Sequence, residues 1–391
     1  MFLFQKNQDI MATLNCFSTQ RNVNVNKWKI FSFCLLLVMF LHRVFILYSK
    51  YRETPKRLTF HPKTQQFPYL NNTGEGSDKT PLRVNLSWFP DPHYFAMTLY
   101  SDYVIKNVDM CSDDRVLDYL VVVNSAPTHF RRRDDFRRMF TQVDTLWSVT
   151  SRIIFLLGLT PDGNLTQKIQ NEAELHRGVI QGDFLDSYHN LTHKAVMGLR
   201  WVTENCPGVK HVMRLDDDVF VNMDHVIHNI FPSVNSTHLV RCPSHHTGRQ
   251  PIERRPGKRW QIDQSLFKGL DIYPFRYCYG YFVVTSGALI PLLYAAAKVV
   301  PFFWVDDAYV FGLLALQVGG VELRYDLEVS YYVNEAERCY LKSGYSCKID
   351  VITNVYFYPI SYSVVERLHN ITYKSELISR KKKTMKYLVK Q

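Results

Sequence analysis

Apolar runs alternate with helical segments through the middle of this chain, and this alternation is the strongest constraint on its fold. RVLDYLVVVN contains the continuous apolar run that is typical of a strand covered on both faces, and RIIFLLGL and HVMRL are predicted as further strands. Helical patterns lie between them, in RRRDDFRRMF and over residues 164–177 and 187–205, and a short strand is predicted over 179–182. Strands that alternate with helices predict an α/β fold with a mixed, largely parallel sheet and helices on both faces.

Three consecutive carboxylates, Asp216, Asp217 and Asp218, follow the last of these strands in VMRLDDDVFVN. Their mutual repulsion raises the pKa of one or more of them unless a cation is present. A solvated turn is one interpretation. A calcium loop does not fit, because Phe220 and Val221 stand where an EF-hand needs an oxygen ligand and a glycine. The third interpretation is a Mg²⁺ or Mn²⁺ ion that Asp216 and Asp218 hold and that carries a diphosphate. Ligands bind at the carboxyl ends of parallel strands, so this position favours the metal site.

A second acidic pair, Asp306 and Asp307, precedes an apolar helical segment in KVVPFFWVDDAYVFGLLAL. Asp306 is explained equally well as a helix cap. In a chain with a predicted metal site, the pair is also typical of a positioned general base. The sequence contains no glycine-rich dinucleotide fingerprint and no Walker loop, so no other phosphate-binding motif replaces the metal.

Residues 30–48, IFSFCLLLVMFLHRVFILY, have about the length needed to cross a bilayer and carry basic residues on both flanks. His42 and Arg43 interrupt the run, but the polar segments on either side offer nothing that would bury it as a core helix. No small-residue cleavage site follows, which favours an uncleaved signal anchor. We therefore predict a cytosolic head over 1–29, a transmembrane anchor over 30–48, a stem over 49–103 and a lumenal catalytic domain over 104–391.

All Asn-x-Ser/Thr sequons follow the predicted anchor, as expected for a lumenal domain. Asn190 also stands in a sequon, but it belongs to a segment discussed below as part of the site. The predicted glycosylation sites are Asn71, Asn85, Asn164, Asn235 and Asn370.

Beyond the anchor the chain has an even number of cysteines, for which disulfides are the default in an oxidising compartment. Cys339 and Cys347 are close enough to pair locally, and the sequence leaves the other pairings open. The absence of Cys-x-x-Cys pairs argues against zinc. The formal net charge of +11 would suit a nucleic-acid binder, but a lumenal location argues against that partner. The charge fits equally well an enzyme that handles phosphates or a tail near an anionic membrane surface.

The order of motifs resembles the Golgi beta-1,3-glycosyltransferases of glycosyltransferase family 31 over about residues 118–320. DFLDSYHNLTHK, followed by Trp201 and Cys206, matches that family's D-F-x-D-S-Y-x-N-L-T-x-K segment almost letter for letter. LDDDVFVN resembles its metal motif, YPFRYCYG its acceptor-side segment and VDDAYVFG its E-D-V-Y-x-G motif. VVVNSAPTHFRRRDDFRR is similar to its strand followed by R-x-x-I-R.

The resemblance implies a GT-A-like fold and a Golgi membrane protein of single-pass type II orientation. It implies inverting, metal-dependent transfer of galactose or N-acetylglucosamine from a UDP-sugar to the 3-hydroxyl of a glycan on a glycoprotein or glycolipid. The implied partners are the UDP-sugar, the glycan acceptor, and a second copy or another transferase. Asp307 would be the catalytic base, and Asp216 and Asp218 would hold Mn²⁺ or Mg²⁺. The residues implied to contact the nucleotide are Arg133, Arg137, Lys194, Asp216 and Asp217.

The sequence also departs from that family's pattern. The family's late histidine has no counterpart at 356–358, where the nearest histidine is His369, and the tyrosine after the acceptor-side glycine is displaced to Tyr281. These changes favour an alternative, a transferase-fold protein with weak or no activity that holds a partner enzyme or a glycan. The three intact carboxylates of the metal and base motifs favour the enzyme.

Overall fold

The fold is described from a computed structural model. All the residues that it describes lie in one compact unit, Lys79–Gln391. These are 83–90, 102–112, 116–147, 149–234, 236–243, 248–343, 347–353, 364, 366–368 and 370–372. The predicted anchor at 30–48, the predicted sites Asn71 and Asn235, and His369 lie outside them. Within these ranges, no helix combines the length and the apolar character that a membrane span requires.

In the described part of the chain, eleven strands form two sheets. Their bounds are β1 Tyr103–Ile105, β2 Tyr119–Asn124, β3 Ser151–Leu159, β4 Val179–Leu185, β5 His211–Asp216, β6 Phe220–Val221, β7 Leu239–Pro243, β8 Phe282–Ser286, β9 Glu322–Leu327, β10 Val329–Ser330 and β11 Val351–Ile352. The large sheet has the order β1-β4-β3-β2-β5-β8-β7-β9, and the small one has the order β10-β11-β6.

The large sheet is parallel at its centre and mixed toward both edges. β4, β3, β2 and β5 run parallel, whereas β1 and β8 are antiparallel to their neighbours and β9 is parallel to β7. This confirms the predicted α/β class. Because β2 and β5 are parallel and in register from Tyr119 opposite His211 to Asn124 opposite Asp216, their carboxyl ends reach the same edge of the sheet.

Helices connect the strands and cover both faces of the sheet. The α-helices are α1 Phe130–Trp147, α2 Gly163–His176, α3 Leu191–Asn205, α4 Met223–His225, α5 Leu289–Ala297, α6 Asp306–Ala308, α7 Ala315–Val318 and α8 Val333–Ser343. Single 3₁₀ turns occur at Leu86–Trp88, Val108–Cys111, Tyr188–Asn190 and Phe231–Ser233, and π-helical turns at Val226–Ile230 and Tyr309–Leu314. The π turn at 309–314 joins α6 to α7, so one continuous helical segment begins at Asp306.

Each face of the sheet has its own hydrophobic core, since successive residues of a strand point to opposite faces. Leu120 and Val122 of β2 pack with α3, α5 and the segment 308–315, whereas Tyr119, Val121 and Val123 pack with α1 and α2. All six residues of β2 are buried. The apolar run that predicted a strand covered on both faces is therefore explained by these two cores.

The folded domain begins before residue 104, where the sequence placed its start. Val84 and Phe89, from the predicted stem, are buried in the first of the two cores. The side-chain carbonyl of Gln317 accepts a hydrogen bond from the backbone amide of Arg83 at 2.9 Å. The polar composition of this segment predicted a stem, but its two apolar residues Val84 and Phe89 are enough to pack it against the domain.

Three disulfides link Cys111 to Cys206, Cys242 to Cys278 and Cys339 to Cys347. The predicted local pair is confirmed, and the structure supplies the two pairings that the sequence left open. The second disulfide joins the end of β7 to the segment before β8 and so closes the long connection between them. In the chain-entropy model, closing a loop of this length lowers the entropy of the unfolded chain and so stabilises the fold by roughly 4 kcal/mol.

Gly287→Ala is expected to destabilise the fold by about 2 kcal/mol or more. A Cβ at this position would overlap the carbonyl oxygen of Val209, and the Gly287 amide donates to the Lys210 carbonyl at 2.9 Å, so the backbone cannot retreat without losing that bond. Gly208→Ala is the matched control, since a Cβ there meets nothing within 4 Å. Urea unfolding of the two variants measures the difference, and equal midpoints would contradict the proposed overlap.

Candidate active site

A cavity of about 640 Å³ opens at the carboxyl end of β5. Its wall carries the four aspartates of the two acidic motifs, Asp216, Asp218, Asp306 and Asp307, and the buried guanidinium of Arg214 lies among them. Most of the remaining wall is aromatic or polar and consists of Tyr188, Leu191, Gln250, Pro251, Glu253, Arg259, Trp260, Tyr273, Tyr277, Tyr279, Gly280, Tyr281, Trp304, Val305, Tyr331 and Thr353. The structure thus brings together both acidic motifs and the acceptor-side segment.

Asp216 is the last residue of β5 and is held from two neighbouring strands. The side-chain amide of Asn124 on β2 donates to its Oδ1 at 3.2 Å, and its own backbone amide donates to the carbonyl of Tyr281 at 3.2 Å. Burial raises the pKa of Asp216 to about 7, against the opposing charge of Arg214 and with the support of the Asp218 charge. A cation at this carboxylate would therefore compete with a proton.

Asp217 and Asp218 diverge in the turn after β5. Asp218 lines the cavity, and burial followed by the charge of Asp217 raises its pKa. Asp217 turns away toward the loop after β2, where it contacts His129 Nδ1 at 2.7 Å and Arg132 Nη1 at 2.8 Å. It also accepts from the Ser125 hydroxyl at 2.8 Å. Burial alone would raise the pKa of Asp217, but these partners outweigh it and hold the pKa below its ordinary value.

Asp217, which the resemblance implied as a nucleotide contact, therefore stabilises the loop after β2. Its carboxylate is occupied by the segment between β2 and α1 and is not part of the cavity wall. In a tight turn, consecutive side chains point in different directions, so three adjacent aspartates cannot all face one ligand.

The second acidic pair lies at the start of the helical segment 306–318. Asp306 forms an ion pair with the Arg214 guanidinium, while Asp307 accepts a hydrogen bond from the Ala308 amide at 2.8 Å and another from the Gly280 amide. Burial, followed by the charge of Asp306, raises the pKa of Asp307 to about 7 despite the nearby Arg214. A carboxyl group with a pKa close to neutrality is suited to act as a general base.

Arg214 is a functional residue that the sequence analysis missed. It is buried beside both acidic motifs, with its guanidinium 5.5 Å from the centre of the Phe311 ring. Its Nε and Nη1 have no hydrogen-bond partner among the described residues. A Cβ at Gly280 would collide with Nη1, which explains the glycine at the end of YPFRYCYG. The available signal was the basic residue two positions before the aspartates on an otherwise apolar strand.

The oxygen-rich end of the cavity suits a divalent cation. Asp216 and Asp218 offer hard carboxylate oxygens, and Asn124 Oδ1, on the amide that touches Asp216, is buried without a hydrogen-bond partner among the described residues. No group of three or more His, Cys, Asp or Glu residues in the described ranges is placed to hold a metal ion. Two protein carboxylates suffice for Mg²⁺, which keeps several waters and substrate phosphates in its shell, so the residues present fit such an ion.

Arg133 and Arg137, both predicted to contact the nucleotide, are not among the residues that line the cavity. Arg133 is fully buried and all of its N–H groups are used: they donate to Glu172 at 2.7–3.1 Å, to the Ser125 hydroxyl at 3.1 Å and to the carbonyls of Ala126 and Pro127. Arg137 donates to the same Glu172 carboxylate at 2.7 Å. Both arginines thus brace the loop after β2, and neither lines the cavity.

Lys194 is also enclosed. Its Nζ is within 3.0 Å of both Asp186 oxygens and donates to the Ser125 carbonyl at 2.8 Å. Lys194 thus connects α3 to the same loop after β2 and does not line the cavity. The most specific motif in the sequence contributes to the cavity mainly through Tyr188 and Leu191.

Three of the five predicted glycosylation sites lie in the described ranges. Asn85, Asn164 and Asn370 are exposed, so a glycan can be accommodated at each of them. Asn190 is partly buried, and its side-chain amide donates to the Leu185 carbonyl at 2.8 Å.

Comparison with known proteins shows which enzymes this chain resembles. Residues 131–324 match the family model described as galactosyltransferase. This chain is a hexosyltransferase that resembles the galactosyltransferase family over about half of its length. The matched segment includes both acidic motifs and the acceptor-side segment that line the cavity.

Several relatives share this part of the chain. Beta-1,3-galactosyltransferase 1 of Mus musculus is 29% identical over 231 residues, which cover 59% of this chain and 67% of that protein. Lactosylceramide 1,3-N-acetyl-beta-D-glucosaminyltransferase A of Danio rerio is 26% identical over 75% of this chain and 76% of its own length. An acetylgalactosaminyl-O-glycosyl-glycoprotein beta-1,3-N-acetylglucosaminyltransferase of Mus musculus is 32% identical over 54% of each chain.

Solved structures give only a distant likeness. A galactosyltransferase in complex with donor and acceptor sugar analogues aligns over 65% of this chain and 95% of its own, with 12% identity and a TM-score of 0.35.

Glu172→Gln is expected to lower the free energy of unfolding by about 3 kcal/mol, because it leaves the buried charge of Arg133 uncompensated. Glu174→Gln on the same helix is the control, since Glu174 is exposed and should change stability by less than about 0.5 kcal/mol. Denaturant unfolding of both variants measures the effect. An equal loss in the two would show that the paired carboxylate does not hold Arg133 in place.

Proposed function

We propose that this hexosyltransferase is an inverting, metal-dependent beta-1,3-glycosyltransferase with a GT-A-like catalytic domain. Its donor is UDP-galactose or UDP-N-acetylglucosamine, and its acceptor is the 3-hydroxyl of a sugar on a glycoprotein or glycolipid. The linkage and the two donor sugars are those in the names of its relatives. The UDP-sugar would bind with Mn²⁺ or Mg²⁺ at Asp216 and Asp218.

One observation carries this proposal: the metal-type carboxylates and the base-type carboxylate line the same cavity. Asp216 and Asp218 come from the end of β5, whereas Asp307 comes from a helix about ninety residues later in the sequence. A structural role does not require these groups to share a solvent-filled space. Transfer of a sugar between a diphosphate and a hydroxyl does require it, since the leaving group and the proton acceptor must flank one anomeric carbon.

Asp307 would remove the proton from the acceptor hydroxyl as that oxygen attacks the anomeric carbon. The hydrogen bonds from the Ala308 and Gly280 amides fix the direction of its carboxylate. The Asp306–Arg214 ion pair beside it keeps a fixed charge between the base and the metal-side carboxylates. A divalent cation bound at Asp216 and Asp218 would supply positive charge to the diphosphate as it leaves.

A lumenal Golgi location, with the chain anchored as a type II membrane protein by residues 30–48, is part of the proposal. It is supported by the three disulfides, which persist in oxidising compartments. The exposed sequon asparagines Asn85 and Asn164 agree with the same compartment.

Asp307→Asn is expected to lower kcat by about 10²–10⁴-fold while leaving UDP binding intact, because it removes the base and keeps the shape of the cavity. Asp218→Asn is expected to abolish the response to Mn²⁺ in UDP binding as well as in transfer. The full-length chain, purified in detergent, is assayed for UDP release with a panel of UDP-sugars, with Mn²⁺ or with a chelator. UDP binding is followed by calorimetry.

Asp102→Asn is the matched control, since Asp102 is exposed and outside the cavity wall. Turnover of one donor that is lost in both site variants and kept in the control supports the enzyme. Metal-independent UDP binding without turnover of any donor would favour the binding-protein alternative.

The pH profile of kcat/KM should fall on the acidic side of about 7, the value to which burial and Asp306 raise the pKa of Asp307. The direction of this change follows from the role of Asp307 as a general base, which acts in its ionised form. Protonation below its pKa therefore lowers activity about tenfold per pH unit. Asp306→Asn should move the midpoint to lower pH, because it removes a like charge beside the base. A flat profile between pH 5 and 8 would refute the assignment of the base to Asp307.

A further inference from the structure

Arg259 presents a free cation to the same cavity. Its side chain is exposed, and among the described residues it makes no hydrogen bond and no ion pair. Its guanidinium carbon lies 4.0 Å from the centre of the Tyr188 ring and 5.8 Å from that of Trp260. Stacking on these rings fixes the guanidinium at the cavity wall and leaves its N–H donors available.

The other cations of the same loop are used elsewhere. Residues 248–268 contain six basic and two acidic side chains, but Arg259 is the only one of the six that lines the cavity. Arg255 pairs with Glu253 at 2.6 Å, and Arg254 donates to backbone carbonyls, among them those of Leu266 and Phe267. Within this fully described loop, the cavity therefore receives one cation without an anionic partner.

The wall beside Arg259 has the character of a sugar-binding surface. Trp260 is 54% exposed, and its indole N–H donates to the Tyr188 hydroxyl. The Trp304 ring lies 6.3 Å from that of Tyr188. Exposed aromatic rings with a polar edge offer both an apolar face and a hydrogen-bonding group, as a sugar ring requires.

The wall around Arg259 lies on the side of the cavity that carries the proposed base, Asp307. Trp304 stands two residues before Asp306 in the chain and contacts Tyr188, whereas Asp218 follows β5 in the turn that also carries Asp217. The charges of Asp306 and Asp307 act on the Tyr188 phenol. An anion that reaches Arg259 would thus belong to the molecule whose hydroxyl meets Asp307, which is the acceptor and not the sugar nucleotide.

We propose that the acceptor is an anionic glycan, with a sulfate or a carboxylate on or next to the sugar that receives the new residue, and that Arg259 pairs with this group. The inference rests on the proposed transferase function and specifies its acceptor class. A guanidinium binds sulfate and carboxylate equally well through paired N–H donors, so the two anions are distinguished by experiment.

The test compares lactose with lactose that carries a sulfate or a sialic acid at the 6-position of its galactose, which leaves the 3-hydroxyl free in all three. Binding to the full-length protein in the presence of UDP and Mn²⁺ is measured through its tryptophan fluorescence, and transfer is measured in parallel. The variants are Arg259→Gln, which removes the charge, Arg259→Lys, which keeps it, and Lys268→Gln, which removes an exposed charge of the same loop away from the cavity.

At least one anionic sugar should bind about tenfold more tightly than lactose, as expected for a charge-assisted pair at a partly sheltered site. Arg259→Gln should abolish this preference, so that the anionic sugars and lactose bind to the variant with equal affinity. Lys268→Gln should keep the preference, Arg259→Lys should retain part of it, and added salt should reduce it in the wild-type protein.

Failure of both anionic sugars to bind more tightly than lactose would overturn the inference. An effect of Arg259→Gln on the KM for the UDP-sugar in place of the acceptor would also overturn it, because the anion would then belong to the donor. The fluorescence measurement of sugar binding does not depend on transfer. If the wild-type protein turns over no donor, this result counts against the transferase function and not against the preference for anionic sugars.

Discussion

The repulsion among the acidic groups of one cavity is the constraint on which the rest of this site depends. Asp216, Asp218, Asp306 and Asp307 share the wall with a single buried arginine, Arg214. Burial raises the pKa of Asp216 and Asp307 to about 7, and one guanidinium cannot neutralise all of these carboxylates. A site of this charge is stable either with bound protons or with a cation, and a diphosphate brought with a divalent cation satisfies the second condition.

The fold resolves part of this repulsion by removing one aspartate from the set. Asp217 turns out of the cavity to His129 and Arg132, and the loop that holds it is braced in turn by Arg133, through the Ser125 hydroxyl that both residues contact. Arg133 is anchored by Glu172 on α2, so a buried ion pair on one face of the sheet fixes a loop at the edge where the cavity opens. Arg133, which the resemblance assigned to the nucleotide, thus holds the loop that positions Asp217.

Sequence reasoning predicted what depends on neighbouring residues and missed what depends on distant partners. The apolar run of β2, the carboxylates after β5 and the acidic start of the helical segment at Asp306 are local patterns, and the structure contains all three. The partner of Arg133 is 39 residues away, and no spacing rule connects the two. The direction of Asp217 in a turn and the docking of Val84 are likewise set by tertiary contacts. The antiparallel direction of β8 could not be read either, since an apolar strand has the same pattern in both directions.

The two halves of the cavity come from parts of the fold with different freedom to vary. The metal-side carboxylates end a central strand that is paired on both sides, so a change there disturbs β2 and β8 as well. The wall around Arg259 and Trp260 lies in the connection between β7 and β8, which the Cys242–Cys278 disulfide closes at its base. A loop fastened at its ends can change its exposed residues at little cost to the sheet. In the proposed transferase, this arrangement would let one scaffold keep its sugar-nucleotide chemistry while a few loop side chains set the acceptor, and the guanidinium of Arg259 among aromatic rings would make that selection electrostatic.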